Sequence, residues 1–86
     1  MPERTVVVAA RSGLHARPAA LFSEAAAALG VPVTVTNEAG STVDAASILG
    51  ILTLGVDHGQ RVTLASESDR ALEALASMLE RDLDDE

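Results

Sequence analysis

The 86-residue chain has no cysteine, no lysine, no tryptophan and no tyrosine, and its one aromatic residue is Phe22. Without cysteine, neither a disulfide nor a thiolate metal site can staple the fold, which is compatible with a reducing compartment. With a single aromatic ring, the core is left to aliphatic side chains and alanine, so its elements must pack closely through small groups. No apolar run approaches the roughly 20 residues of a membrane span. Met1-Pro2-Glu3-Arg4 also lacks a signal peptide's apolar core. A soluble, cytoplasmic protein without membrane insertion is therefore expected. The formal net charge of −7 argues against nucleic acid or an anionic membrane as a partner. The scattered carboxylates suggest no acid–base pair, no metal-ligand spacing is present, and no strong glycine-rich nucleotide loop occurs. Neither a metal nor a cofactor is expected.

What is present reads as one domain over residues 1–86, too short for a second core. Residues 5–10 are β-branched and apolar, which predicts a mostly buried central strand. From Ala16 to Leu29 the chain is rich in alanine. Ala19, Phe22, Ala26 and Leu29 recur at helical spacing, and Gly30 is placed to stop the helix. Residues 31–36 alternate as a strand, and residues 37–40 read as a turn into a short strand over 41–44, giving a hairpin. Ser47 is placed to cap a brief helix ending at Leu54-Gly55. Residues 60–65 alternate again. Asp69 is placed to cap a last helix on which Leu72, Leu75, Ala76, Leu79 and Leu83 share a face. The order is β-α-β-β-α-β-α. Helices between strands would also suit a parallel α/β sheet, but the hairpin and the small size favour an antiparallel sheet with helices on one face, an α+β fold.

The chemistry gathers at Gly13-Leu14-His15-Ala16-Arg17-Pro18-Ala19, where strand gives way to helix. Pro18 is harmless in a first turn, whose N–H groups have no intrahelical acceptor. The amides of Ala16 and Arg17, with the helix dipole, can form a small anion site, and Arg17 adds a guanidinium fork suited to phosphate oxygens. The dipole's positive end disfavours an imidazolium at His15, leaving a nitrogen free as a nucleophile near neutral pH. A phosphoryl group is its natural electrophile, and the adduct would remain reactive enough to be passed on. A lone histidine in a small domain is mostly a surface or capping residue; its company sets His15 apart. Arg4, Arg11 and Arg17 make the first twenty residues net basic, whereas most carboxylates lie beyond residue 37. The chain's other histidine, His58, has no helix entrance or arginine beside it and reads as an exposed turn residue. The closing Asp82-Leu83-Asp84-Asp85-Glu86 reads as a solvated helix end.

The segment from Ser47 to Thr53 has more apolar positions than one face can bury. With Ile51 turned inward, Ile48, Leu49 and Leu52 become candidates for an exposed docking patch. A helix buried all round fits the residues equally well.

Gly-Leu-His-Ala-Arg-Pro-Ala-Ala near residue 15 resembles the active-site signature of HPr, the histidine-containing phosphocarrier family of the bacterial phosphoenolpyruvate:sugar phosphotransferase system. Length, element order, Ser47-Ile48-Leu49 and Thr53-Leu54-Gly55 extend the resemblance along the whole chain. It implies the open-faced β-sandwich, a four-stranded antiparallel sheet with three helices on one face. It also implies a carrier and not an enzyme: His15 phosphorylated on Nδ1, Arg17 as its partner, and Ala16 contributing its backbone N–H. Enzyme I would be the phosphoryl donor and sugar-specific IIA proteins or domains the acceptors. Both would dock on the face of the first two helices, where Ala20, Ile48, Leu49 and Leu52 match. The carrier is expected to be a monomer that binds no phosphoenolpyruvate or ATP itself. Ser47 aligns with the serine that HPr kinase/phosphorylase modifies in many Gram-positive bacteria. Here, however, Ala46 stands where a basic residue is common, and Gly50 where a long or polar one is, so a plain N-cap is the favoured reading of Ser47. Three rivals stand beside the carrier. A nitrogen-related paralogue would feed a regulatory IIA protein, and a non-catalytic interaction module would function without His15. An autonomous phosphohydrolase would release inorganic phosphate without an acceptor protein.

Overall fold

The structure, a computed structural model of the chain, describes residues 2–9, 13–14 and 16–81. Its elements run β1 (Glu3–Val7), α1 (Ala16–Leu29), β2 (Thr34–Thr36), β3 (Thr42–Asp44), α2 (Ile48–Thr53), β4 (Arg61–Ala65) and α3 (Asp69–Glu80). The four strands form one antiparallel sheet in the order β1-β4-β2-β3. This is the expected α+β open-faced sandwich.

Strand alternation separates the two sides of the sheet. Val6, Val62, Leu64 and Val35 are buried toward the helices, where they meet Phe22, Ile51, Leu75 and Leu79. The opposite side carries a row of threonines, one from each strand: Thr5 faces Thr63, Thr63 faces Thr36, and Thr36 faces Thr42. Hydroxyl pairs close the ends of the row, Thr5 to Thr63 at 3.1 Å and Thr36 to Thr42 at 2.8 Å. β-Branched side chains pack well on a pleated surface while their hydroxyls stay wet.

The first strand departs from expectation. β1 is an edge strand rather than a central one, and only Val6 of its five residues is buried. One flank of an edge strand faces solvent, so Glu3 and Arg4 are accommodated, and Arg4 reaches Glu73 of α3 at 3.9 Å. Beyond β1, the Val8 N–H still bonds the Gln60 carbonyl, but the Ala9 N–H turns to Leu79 of α3, each at 2.9 Å. Ala10, the last residue of the expected strand, lies outside the described residues. β2 is also shorter than the alternating run 31–36. Pro32 has no N–H for the ladder, and its carbonyl instead accepts from the buried Ser66 hydroxyl at 2.8 Å.

α1 spans the expected residues. Ala19, Phe22 and Ala26 are buried, Leu29 packs at the rim, and Gly30 ends the helix at φ +71°. α3 buries Leu72, Leu75, Ala76 and Leu79, while Leu83 lies outside the described residues. The cap of α3 is Ser68 and not Asp69. Ser68 is extended, and its Oγ accepts from the Ala71 N–H at 3.2 Å. Asp69 is the first helical residue, where its charge complements the dipole. Among the described residues, no helix is long and apolar enough to cross a membrane.

Candidate functional site

The candidate site is built where the chain crosses from β1 to α1. His15, like Arg11 and Ser12, lies outside the described residues; its two neighbours are described. On one side, Gly13 is in the left-handed region at φ +71°, and Leu14 is buried at 3% exposure. The Leu14 N–H donates to the Val56 carbonyl at 2.9 Å. On the other side, α1 begins at Ala16. Ala16 and Arg17 are exposed, while Pro18 and Ala19 turn into the protein. The first turn thus has its inner half anchored and its outer half, Ala16 and Arg17, exposed. Amides in such a turn lack intrahelical acceptors and carry the positive end of the dipole. Ala20 is half-buried one turn further on, at the spacing that places it on the same helix face as Ala16.

α2 packs beside α1 and shows its apolar surplus. Ile51 is fully buried. Ile48 and Leu52 are each 38% exposed and Leu49 is 73% exposed, so the exposed arrangement holds rather than the fully buried helix. Helical spacing of three and four residues groups these three side chains on one face. Ser47 is exposed and is the N-cap of α2: its Oγ accepts from the Gly50 N–H at 3.1 Å. Gly50 has a packing reason of its own. A Cβ there would lie 3.1 Å from the Val43 side chain and 3.2 Å from Ser47 Oγ, so glycine lets α2 settle on β3. His58 is exposed in the turn with Gly59.

Two features escape sequence reasoning. Asn37, legible only as a turn residue, ties the β2–β3 hairpin to the end of α2 by donating from Nδ2 to the Leu54 carbonyl at 3.1 Å. Gly13 lies flat against the backbone of Val56 and Asp57. A Cβ on Gly13 would overlap the Val56 carbonyl oxygen and stand 2.7 Å from Asp57 Cα. A glycine before a helix start is a signal for the local turn. The partner of that turn comes from a distant part of the chain and leaves no local mark. Among the described residues, no group of histidine or acidic side chains is arranged to hold a metal ion.

The family described as PTS HPr component phosphorylation site matches residues 2–81. The phosphocarrier protein HPr of Streptomyces coelicolor is 47% identical, with 99% of this chain and 95% of that protein aligned. HPr of Vibrio cholerae is 38% identical, with 92% of each chain aligned. The crystal structure of HPr-C-His from Thermoanaerobacter tengcongensis superposes with a TM-score of 0.89 at 38% identity, covering 100% of this chain and 99% of that one.

Proposed function

The chain belongs to the HPr family of phosphocarriers of the phosphotransferase system, and we propose from that membership that His15 is its phosphoryl-accepting residue. In this reading the Nδ1 lone pair of His15 attacks the phosphorus of phosphorylated enzyme I. The donor's bond to phosphorus breaks as the new N–P bond forms. The reverse roles follow when a IIA histidine attacks, and His15 returns to its starting form. The phosphoryl group carries its charge throughout, so what the chain must supply is positive potential and position, not acid–base chemistry. Arg17, exposed in the first turn of α1, offers a guanidinium to the phosphoryl oxygens, and the amides of Ala16 and Arg17 offer the dipole's positive end.

The observation that carries the reading is the coincidence of this helix entrance with an adjacent apolar surface. Ile48, Leu49 and Leu52 are exposed on α2, which packs against α1. A soluble chain of this size has little reason to show three large aliphatic side chains together unless a partner covers them. Enzyme I and the IIA acceptors would use this surface in turn, with Ala20 as a small residue that lets them approach α1. Ser47 serves first as the cap of α2. A phosphate on it would add about −2 charge at the edge of the patch and weaken docking of an apolar or acidic partner. Recognition by HPr kinase/phosphorylase is not favoured, with Ala46 before the serine.

The test is the intact mass after incubation with phosphoenolpyruvate and catalytic enzyme I, for the wild type and His15→Ala, with half of each sample exposed to mild acid. A single phosphoryl increment that is lost in acid and absent from the variant is the expected result. No increment with a competent enzyme I would remove the sugar-system assignment.

A further inference from the structure

The approach of Gly13 to Val56 has consequences for how the helix entrance is held. Gly13 and Gly30 share the same left-handed φ of +71°, yet a Cβ on Gly30 would meet nothing within 4 Å, whereas one on Gly13 would run into the Val56–Asp57 backbone. At Gly13 the requirement is therefore contact as well as conformation. Immediately after it, the Leu14 N–H bonds the Val56 carbonyl, and both side chains are buried. The surface beneath is itself fixed. The Asp57 N–H donates to Gln60 Oε1 at 2.8 Å, the Gln60 N–H to the Asp57 carbonyl at 3.1 Å, and the Gly59 N–H to the Val8 carbonyl at 2.9 Å. Upstream, the Leu54 carbonyl at the end of α2 is held by Asn37. The turn over residues 56–60 is thus anchored to the strand side of the molecule and leads directly from α2.

We infer that Gly13 and the Val56 carbonyl are positioning residues for phosphoryl transfer: their contact fixes where α1 begins, and with it the first-turn groups that meet the phosphoryl oxygens. The inference rests on the phosphocarrier reading given above. Neither residue touches the reacting atoms; both act through Leu14. Phosphoryl transfer depends on position more than on covalent help from the protein, and a displacement of about 1 Å can cost two orders of magnitude in rate.

The experiment compares Gly13→Ala with Gly30→Ala as substrates of enzyme I, at a temperature where both are folded by circular dichroism. Both variants strain the same backbone conformation, but only the first collides with Val56. Gly13→Ala should lower kcat by about tenfold or more while KM, set by docking, stays within about twofold. Gly30→Ala should keep both values within about twofold. A third variant, in which semisynthesis replaces the Leu14 amide by an ester, removes the hydrogen bond to Val56 without adding an atom and should also lower kcat several-fold. It decides the matter where Gly13→Ala does not fold. The inference falls if the deciding variant transfers at the wild-type kcat, if Gly30→Ala loses kcat equally, or if the loss appears in KM alone. A wild type that takes no phosphoryl group overturns the carrier reading and this inference together. A competent wild type with unaffected variants overturns this inference alone.

Discussion

Asn37 holds the end of α2 to the β2–β3 hairpin, with its Nδ2 donating to the Leu54 carbonyl at 3.1 Å while its Oδ1 accepts from the Ser41 N–H at 2.9 Å. One amide therefore satisfies a turn and a helix terminus together. Asn37→Ala should destabilise the domain by about 1–3 kcal/mol. Asn37→Asp, which keeps the acceptor but sets a carboxylate against a carbonyl, should cost at least as much. Thermal melts check this, since each kcal/mol moves Tm by about 4–8 °C in a domain of this size.

Ser47 separates capping from charge. Ser47→Ala removes the oxygen that accepts from Gly50 and should cost about 1 kcal/mol in urea unfolding. Ser47→Asp keeps a good cap, so stability should match the wild type. The added charge beside Ile48 and Leu49 should instead appear as a raised KM toward enzyme I.

Leu49 and Ile51 lie two residues apart on α2 with opposite fates, one 73% exposed and the other fully buried. Leu49→Ser should leave stability within about 0.5 kcal/mol while raising KM for phosphoryl transfer several-fold. Ile51→Ala should cost about 2–5 kcal/mol. Paired unfolding and transfer measurements distinguish the two roles, and equal KM values for wild type and Leu49→Ser would count against docking through this face.

Arg17→Ala should reduce transfer by about 10²-fold at a temperature where the variant is folded. Arg17→Lys should fall between, since it keeps the charge and loses the planar fork. Rates with enzyme I at fixed ionic strength test the order.

The legible parts of this protein are those written in local spacing. The bounds of α1 follow from an alanine-rich run closed by Gly30, those of α2 from Ser47 and Leu54-Gly55, and the hairpin from the turn at residues 37–40. The exposure of Ile48, Leu49 and Leu52 was one of two arrangements consistent with a six-residue helix, and packing chose between them. The β-branched run of β1 resembles a buried central strand, whereas which strand takes the edge is decided by sheet order. Asp69 lost the cap of α3 to Ser68 because both residues suit it, and the backbone leaves its extended form one residue earlier. The meeting of Gly13 with Val56 is a tertiary fact that neither segment announces.

The row of threonines across the back of the sheet gives the molecule a heads and a tails. Its hydroxyls are content in water and, with Val7 at one margin, offer a visitor little to grip. The exposed Ile48, Leu49 and Leu52 are on the helix side, so in the proposed relay donor and acceptor would take turns there. Throughput in such a relay would then depend on how quickly each visitor leaves, and a docking surface that gripped more tightly would make a slower courier.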